Sequence, residues 1–98
     1  MSTAIEIGSL IERSREVCGG RPRIAGTGVS VRRIVGWYKL GRTPEEIVQE
    51  IPHLSLAQVF AALAFYHANR SEIEADIAAE QEAADRLERE HLDSRRDS

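Results

Sequence analysis

Apolar side chains recur through the middle of this chain with helical spacing. Val31, Ile34, Val35 and Tyr38 stand at i, i+3, i+4 and i+7, which gathers four apolar groups on one helical face. Ser30 is placed to cap the start of that helix, and Gly41 lies just past its end. Gly36 interrupts the pattern and weakens the helix, so a neighbouring backbone or a bulky side chain is expected to approach there. Thr43-Pro44-Glu45-Glu46 is a second start signal. Thr43 can accept a hydrogen bond from the Glu46 amide, Pro44 suits the first helical position, and Glu46 can reach back to Thr43. The helix that follows buries Ile47, Val48 and Ile51 and must stop near Glu50, because Pro52 disfavours helical geometry at Ile51.

A third helix starts a few residues later. Ser55-Leu56-Ala57-Gln58 forms a capping box, and Leu56, Val59, Phe60, Leu63 and Tyr66 carry an apolar stripe away from it. Another box, Ser71-Glu72-Ile73-Glu74, predicts a break near Asn69 and a last helix reaching about Glu90. On that helix Ile73, Ile77, Ala84 and Leu87 fall within roughly 80° of arc, a narrow seam. Upstream the pattern is strand-like. Ile5 and Ile7 alternate with polar residues, and Val17, Ile24, Val29 and Val31 are separated by Gly19-Gly20, Pro22, Gly26 and Gly28, which predicts short strands joined by turns.

The expected fold is therefore mainly α: a three-helix, helix-turn-helix (winged-helix-like) core with short N-terminal β-strands and a C-terminal helical tail. Residues 1–70 form the β-hairpin and helix-turn-helix unit for DNA binding and dimerisation, and residues 71–98 the acidic tail. A chain of 98 residues has room for one compact core. With no long apolar run, no leader pattern and Cys18 as the single cysteine, the expectation is a cytoplasmic protein without a membrane partner or a disulfide framework.

Charge divides the chain. Residues 1–70 carry a net charge of +3 and residues 71–98 one of −6. A basic front and an acidic back suggest two partners, since a basic face attracts phosphate and an acidic segment repels it; the plainer alternative is a solvated helical tail.

In a helix-turn-helix unit the first residues of the second helix reach base edges while flanking cations hold phosphates. Ser55, Ala57 and Gln58 are the base-facing candidates, Gln58 because its amide can pair with adenine, although Ser55 and Gln58 also serve as caps. Arg32, Arg33, Lys39 and Arg42 are the phosphate candidates, and the absence of Arg or Lys from the third helix before Arg70 counts against strong groove binding by one copy. The last helix offers Ile73, Ile77, Glu80, Glu82, Ala84, Asp85 and Leu87, a seam with acidic flanks that either closes the chain's own core or lies in a groove on another protein.

Other chemistry is sparse. The run from Gly19 to Gly28 lacks the Gly-Lys-Ser/Thr ending of a phosphate loop and the third glycine of a dinucleotide site, so its glycines read as turns. His53, His67 and His91 with one cysteine give no recognised zinc spacing, and Cys18 reads as a small buried hydrophobe. No nucleophile, base and orienting residue can be assembled, so the chain reads as a binding protein with no cofactor or small-molecule substrate, not an enzyme.

The runs Val17-Cys18-Gly19-Gly20-Arg21-Pro22-Arg23-Ile24-Ala25-Gly26-Thr27, Val29-Ser30-Val31, Gly41-Arg42-Thr43-Pro44-Glu45-Glu46-Ile47, Pro52-His53-Leu54 and Ala61-Ala62-Leu63-Ala64-Phe65-Tyr66 together resemble the family called domain of unknown function 433. That family is similar to VapB-type antitoxins, and the likeness covers about residues 5–75. It implies a homodimeric helix-turn-helix protein that neutralises a PIN-like ribonuclease toxin and represses its own operon by binding operator DNA. The family usually carries Arg after Gly-Thr where this chain has Gly28, which leaves Arg32 and Arg33 as the nearby cations. The tail beyond about Asp76 lies outside the shared pattern, so its assignment to the toxin rests on charge and periodicity. The alternatives are a stand-alone helix-turn-helix regulator and a protein-interaction module without DNA binding.

Overall fold

The computed structural model describes residues 4–96, with side chains described through Asp93. Two short strands, β1 (Ile11–Glu12) and β2 (Arg23–Ile24), pair antiparallel with Ile11 opposite Ile24 and Glu12 opposite Arg23. Four helices follow: α1 (Val31–Lys39), α2 (Pro44–Glu50), α3 (Leu56–Ala68) and α4 (Arg70–Arg96). The N-terminal sheet is smaller than the apolar residues suggested. Ile7–Leu10 turn as a 3₁₀ helix with Ile5 and Ile7 exposed, Val31 is the first residue of α1, and Val17 makes only an isolated bridge to Ser14. Gly19 and Gly20 take φ of +62° and +81°, turning the chain before a strand can extend. Cys18 joins this left-handed run at φ +55° and is half-buried, donating from Sγ to the Gly28 carbonyl at 3.4 Å. It is not the fully buried hydrophobe the sequence suggested.

The helix starts follow their capping chemistry. The Ser30 side chain accepts from the Arg33 amide, and both expected capping boxes close, at Thr43/Glu46 and Ser55/Gln58. Each Ser or Thr oxygen satisfies an amide that has no partner inside the helix, worth about 1 kcal/mol per cap. The Ser71 box does not form this way. Helix α4 starts at Arg70, two residues before the Glu72 that a Ser71 cap would make its first, and Asn69 makes the junction: its side-chain amide donates to the Phe65 carbonyl at 3.0 Å, while its own carbonyl accepts from the Ile73 amide at 3.2 Å. Ser71 therefore lies inside the first turn of α4, which runs past Glu90 to Arg96.

Ile24, Val31, Ile34, Val35, Ile47, Val59, Ala62 and Ile73 are fully buried and join one core, closed by Leu63, Tyr66, Ile51 and Leu54. Ile73 is the contribution of α4 to that core. The three-helix unit is thus incomplete without the first turns of α4. Beyond Ile77 the helix leaves the core: every described residue from Ala78 to Asp93 is exposed. The molecule measures 67 × 28 × 24 Å, its long axis set by this helix, whose 27 residues span about 40 Å.

Candidate functional site

The basic front and the acidic tail meet within one molecule. Glu72, Asp76 and Glu80 stand at i, i+4 and i+8 along one side of the apolar seam of α4 and face Arg13, Arg21 and Arg32. Arg21 lies 3.7 Å from Asp76 and Arg32 3.4 Å from Glu80, while Arg13 pairs with Glu72 through two guanidinium nitrogens. Glu74, on the other side of the seam, pairs with Lys39. Because Lys39 meets Glu74 and Arg32 meets Glu80, α4 runs antiparallel to α1. The four pairs are partly exposed, so each contributes little to stability; together they fix which face of α4 lies on the core.

Arg13 is the one whose pairing shifts an ionisation. Its hydrogen bonds hold the Glu72 carboxyl below its ordinary value of 4.5, and Glu72 in turn raises the Arg13 guanidinium. The folded chain therefore takes up a proton at Glu72 less readily than the unfolded chain. The stabilisation from this pair is complete above the ordinary carboxylate range and is lost as pH falls through the depressed folded value. Glu72→Gln is expected to lower the melting temperature slightly at pH 7, where the pair is complete, and the difference from the wild type is expected to vanish as pH falls well below 4.5, measured by circular dichroism against pH.

Two of the four phosphate candidates, Arg32 and Lys39, are thus engaged by α4. Arg42 lies 3.7 Å from Glu50 and stacks over the Trp37 ring at 5.5 Å. Arg33 is exposed and, among the described residues, has no acidic side chain within ion-pair distance. At the start of α3, Gln58 Oε1 accepts from the Ser55 amide at 2.7 Å, and Ser55 Oγ accepts from the Gln58 amide at 3.2 Å. A bidentate adenine contact needs that same side-chain oxygen. Ala57 is exposed on a helix face that carries no cation.

The tail candidates also divide. Ile73 is fully buried and Ile77 half-buried against the core, so neither is presented as a free partner surface. Glu80 is exposed but bonded to Arg32; Glu82, Ala84, Asp85 and Leu87 stand on the projecting length, with Leu87 66 % exposed. An open groove of about 460 Å³ runs between α1 and α4, lined by Arg32, Arg33, Gly36, Trp37, Leu40, Ile77 and Gln81 among others. A Cβ added to Gly36 would meet nothing within 4 Å. The close neighbour expected at Gly36 is absent because the groove leaves that face of α1 open.

Sequence reasoning missed the ladder of pairs itself, although the four-residue spacing of Glu72, Asp76 and Glu80 was its visible signal. It also missed Arg23. The guanidinium lies 2.6 Å from Glu12 and donates to the Thr27 carbonyl, pinning the hairpin, with Nε buried and without a partner among the described residues. Turn chemistry accounts for the glycine-rich run. Gly26 sits at φ +76° and donates to Glu12 at 3.1 Å, and Thr27 Oγ1 donates to the Ile24 carbonyl and accepts from the Val29 amide. Gly28 is exposed with open space around it, so the family's usual Arg would stand at the surface there.

Among the described residues no group of three or more His, Cys, Asp or Glu is disposed to hold a metal ion, and no helix is long and apolar enough to cross a membrane.

The fold is that of a small, mainly helical protein with an N-terminal two-stranded sheet and a long C-terminal helix. The family model described as "Protein of unknown function (DUF433)" matches residues 11–66, and the chain belongs to that family. It is similar to the crystal structure of a DUF433 member protein from Anabaena variabilis ATCC 29413, determined at 2.00 Å resolution. The likeness has a TM-score of 0.67 at 30% identity and covers 71% of this chain and 69% of that one. No curated protein matches the chain.

Proposed function

We propose that this chain is an antitoxin, a homodimeric protein whose projecting α4 neutralises a PIN-like ribonuclease and whose core binds operator DNA. The observation that carries the reading is the length of α4 beyond Gln81. A helix of that length is marginal in water on its own, and most helical stability in proteins comes from an apolar stripe packed on something else. Ala84 and Leu87 continue the seam that Ile73 and Ile77 bury, yet they face solvent. A seam that is half used inside the molecule and half open beyond it suits a helix that docks in a partner's groove. Glu88 and Asp85 on one flank of the seam, with Glu82 on the far side of the helix beside Arg86, add acidic charge that complements a basic nuclease cleft.

The test is co-expression with the adjacent reading frame, followed by co-purification and a ribonuclease assay. The full chain is expected to hold the enzyme in a stable, inactive complex. Glu82→Lys with Asp85→Lys is expected to weaken that complex at least tenfold while leaving the melting temperature of the free chain unchanged, since neither residue touches the core. Glu80 is a poorer probe because its reversal also breaks the pair with Arg32. A complex of undiminished affinity would remove α4 from the nuclease-binding role.

DNA binding rests on a narrower set of residues than the charge count suggested. Of the four phosphate candidates, Arg33 and Arg42 are the two not paired with α4, and α3 offers no Arg or Lys. Arg33→Ala with Arg42→Ala is expected to weaken retention on operator DNA and to reduce the salt slope by about one for each phosphate no longer neutralised. An unchanged slope would favour an interaction module without a DNA role.

A further inference from the structure

Helix α3 leaves one face bare. Leu56 is 42 % and Phe60 52 % exposed, and Ala57, Ala64 and Ala68 are exposed beside them. At about 100° per residue these five positions share a sector of roughly 120°, opposite the face that buries Val59, Ala62 and Tyr66; the exposed His67 falls in the same sector, its ring lying against those of Tyr38 and Tyr66. Charged residues make up 30% of the chain, yet none occurs between Leu56 and Ala68. Beside the face lies a hollow of about 330 Å³ floored by Ala61, Ala64 and Ala68 and walled by Ile7, Ile11 and Phe65.

The chemistry of this face selects its occupant. A nucleic-acid backbone would need cations, and α3 carries no Lys or Arg. With no Asp, Glu, Lys or Arg on it, this surface set against itself brings no carboxylates, ammonium or guanidinium groups of like charge together, and a two-fold contact requires such self-complementarity. Large and small residues are arranged to supply it. When two α3 helices run antiparallel, centred at the level of Ala62, Phe60 of each copy comes level with Ala64 of the other, and Leu56 with Ala68. Each bulky side chain then meets an alanine at the rim of the other copy's hollow. A stable interface takes roughly 800 Å² from each partner, more than one helix face about 20 Å long supplies. The exposed Ile5 and Ile7 beside the hollow widen the patch.

We propose that this face joins two copies of the chain, α3 packed antiparallel across a two-fold axis with Phe60 of each copy seated over Ala64 and the adjoining hollow of the other. This locates the dimer of the proposed function and is independent of its nuclease partner. It makes α3 the dimerisation helix, not the helix that reads bases.

Sedimentation equilibrium of the full chain alone, over a concentration series into the high micromolar range, tests it. The wild type is expected at twice 10.9 kDa. Phe60→Glu is expected to raise the dimer dissociation constant about 30-fold or more, as loss of a central aromatic anchor does. Ala64→Glu, at an exposed position with a small side chain, should do the same without disturbing the fold and stands in if the first variant fails to fold. Mixing the Phe60→Glu chain with an Ala64→Lys chain should restore a one-to-one dimer, because the new opposite charges come level. A wild type that stays monomeric throughout overturns the proposal, as does a dimer that both acidic variants leave intact. Failure of the Glu82 and Asp85 variants to affect a nuclease leaves these results unchanged, so the two readings fall separately.

Discussion

Ile73→Ala is expected to destabilise the protein by about 3 kcal/mol or more, within the range for truncating a buried isoleucine. The residue is fully buried, although it belongs to the helix that the charge pattern set apart as a tail. Its removal opens a cavity between α4 and the core and loosens the anchor that holds Glu72, Asp76 and Glu80 opposite their arginines. A melting curve and a urea titration measure the effect. Leu87→Ala on the same seam serves as the control and should change stability by less than about 0.5 kcal/mol, because exposed positions seldom matter more. Equal effects from the two would mean that the projecting half of α4 is packed in the free protein.

Truncation should divide α4 in the same place. A chain ending after Gln81 keeps Ile73, Ile77 and all four pairs between the core and α4, and is expected to unfold cooperatively with a melting temperature close to that of the full chain. A chain ending after Arg70 has none of these and exposes the core surface that Ile73 covers. Its loss of about 4 kcal/mol is a large share of the roughly 5–15 kcal/mol that stabilises a domain of this size. Circular dichroism and amide hydrogen exchange would distinguish a folded short chain from a largely unfolded one. A stable chain of residues 1–70 would show that α4 contributes nothing to the fold.

These two results bear on how the halves of the protein are related. The first turns of α4 belong to the core, and the proposed nuclease-binding arm begins only after Gln81. The charge asymmetry read from the sequence is real, but four of the acidic residues of α4 are directed at the chain's own cations. The projecting length is therefore less acidic than the tail as a whole, and any electrostatic attraction it exerts on a partner comes from Glu82, Asp85, Glu88 and their neighbours.

The helices of this protein were written locally. Ser30, Thr43, Ser55 and Pro52 act on amides and dihedrals within a few residues of themselves, so starts and stops could be read without knowing what packs where. The buried set Ile34, Val35, Ile47, Val59 and Leu63 followed from spacing for the same reason. Periodicity, however, states that a stripe exists and not what covers it. Leu56 and Phe60 sit on the predicted stripe of α3 yet face solvent, because α1 and α2 cover only part of the helix circumference. Ile73 and Leu87 share one seam and have opposite environments, because the core ends before α4 does. Likewise an arginine in the sequence is a charge without a partner. Only the docking of α4 antiparallel to α1 decided that Arg32 and Lys39 would face carboxylates while Arg33 faced water, since those pairings join residues 35 or more positions apart and depend on where two helices cross.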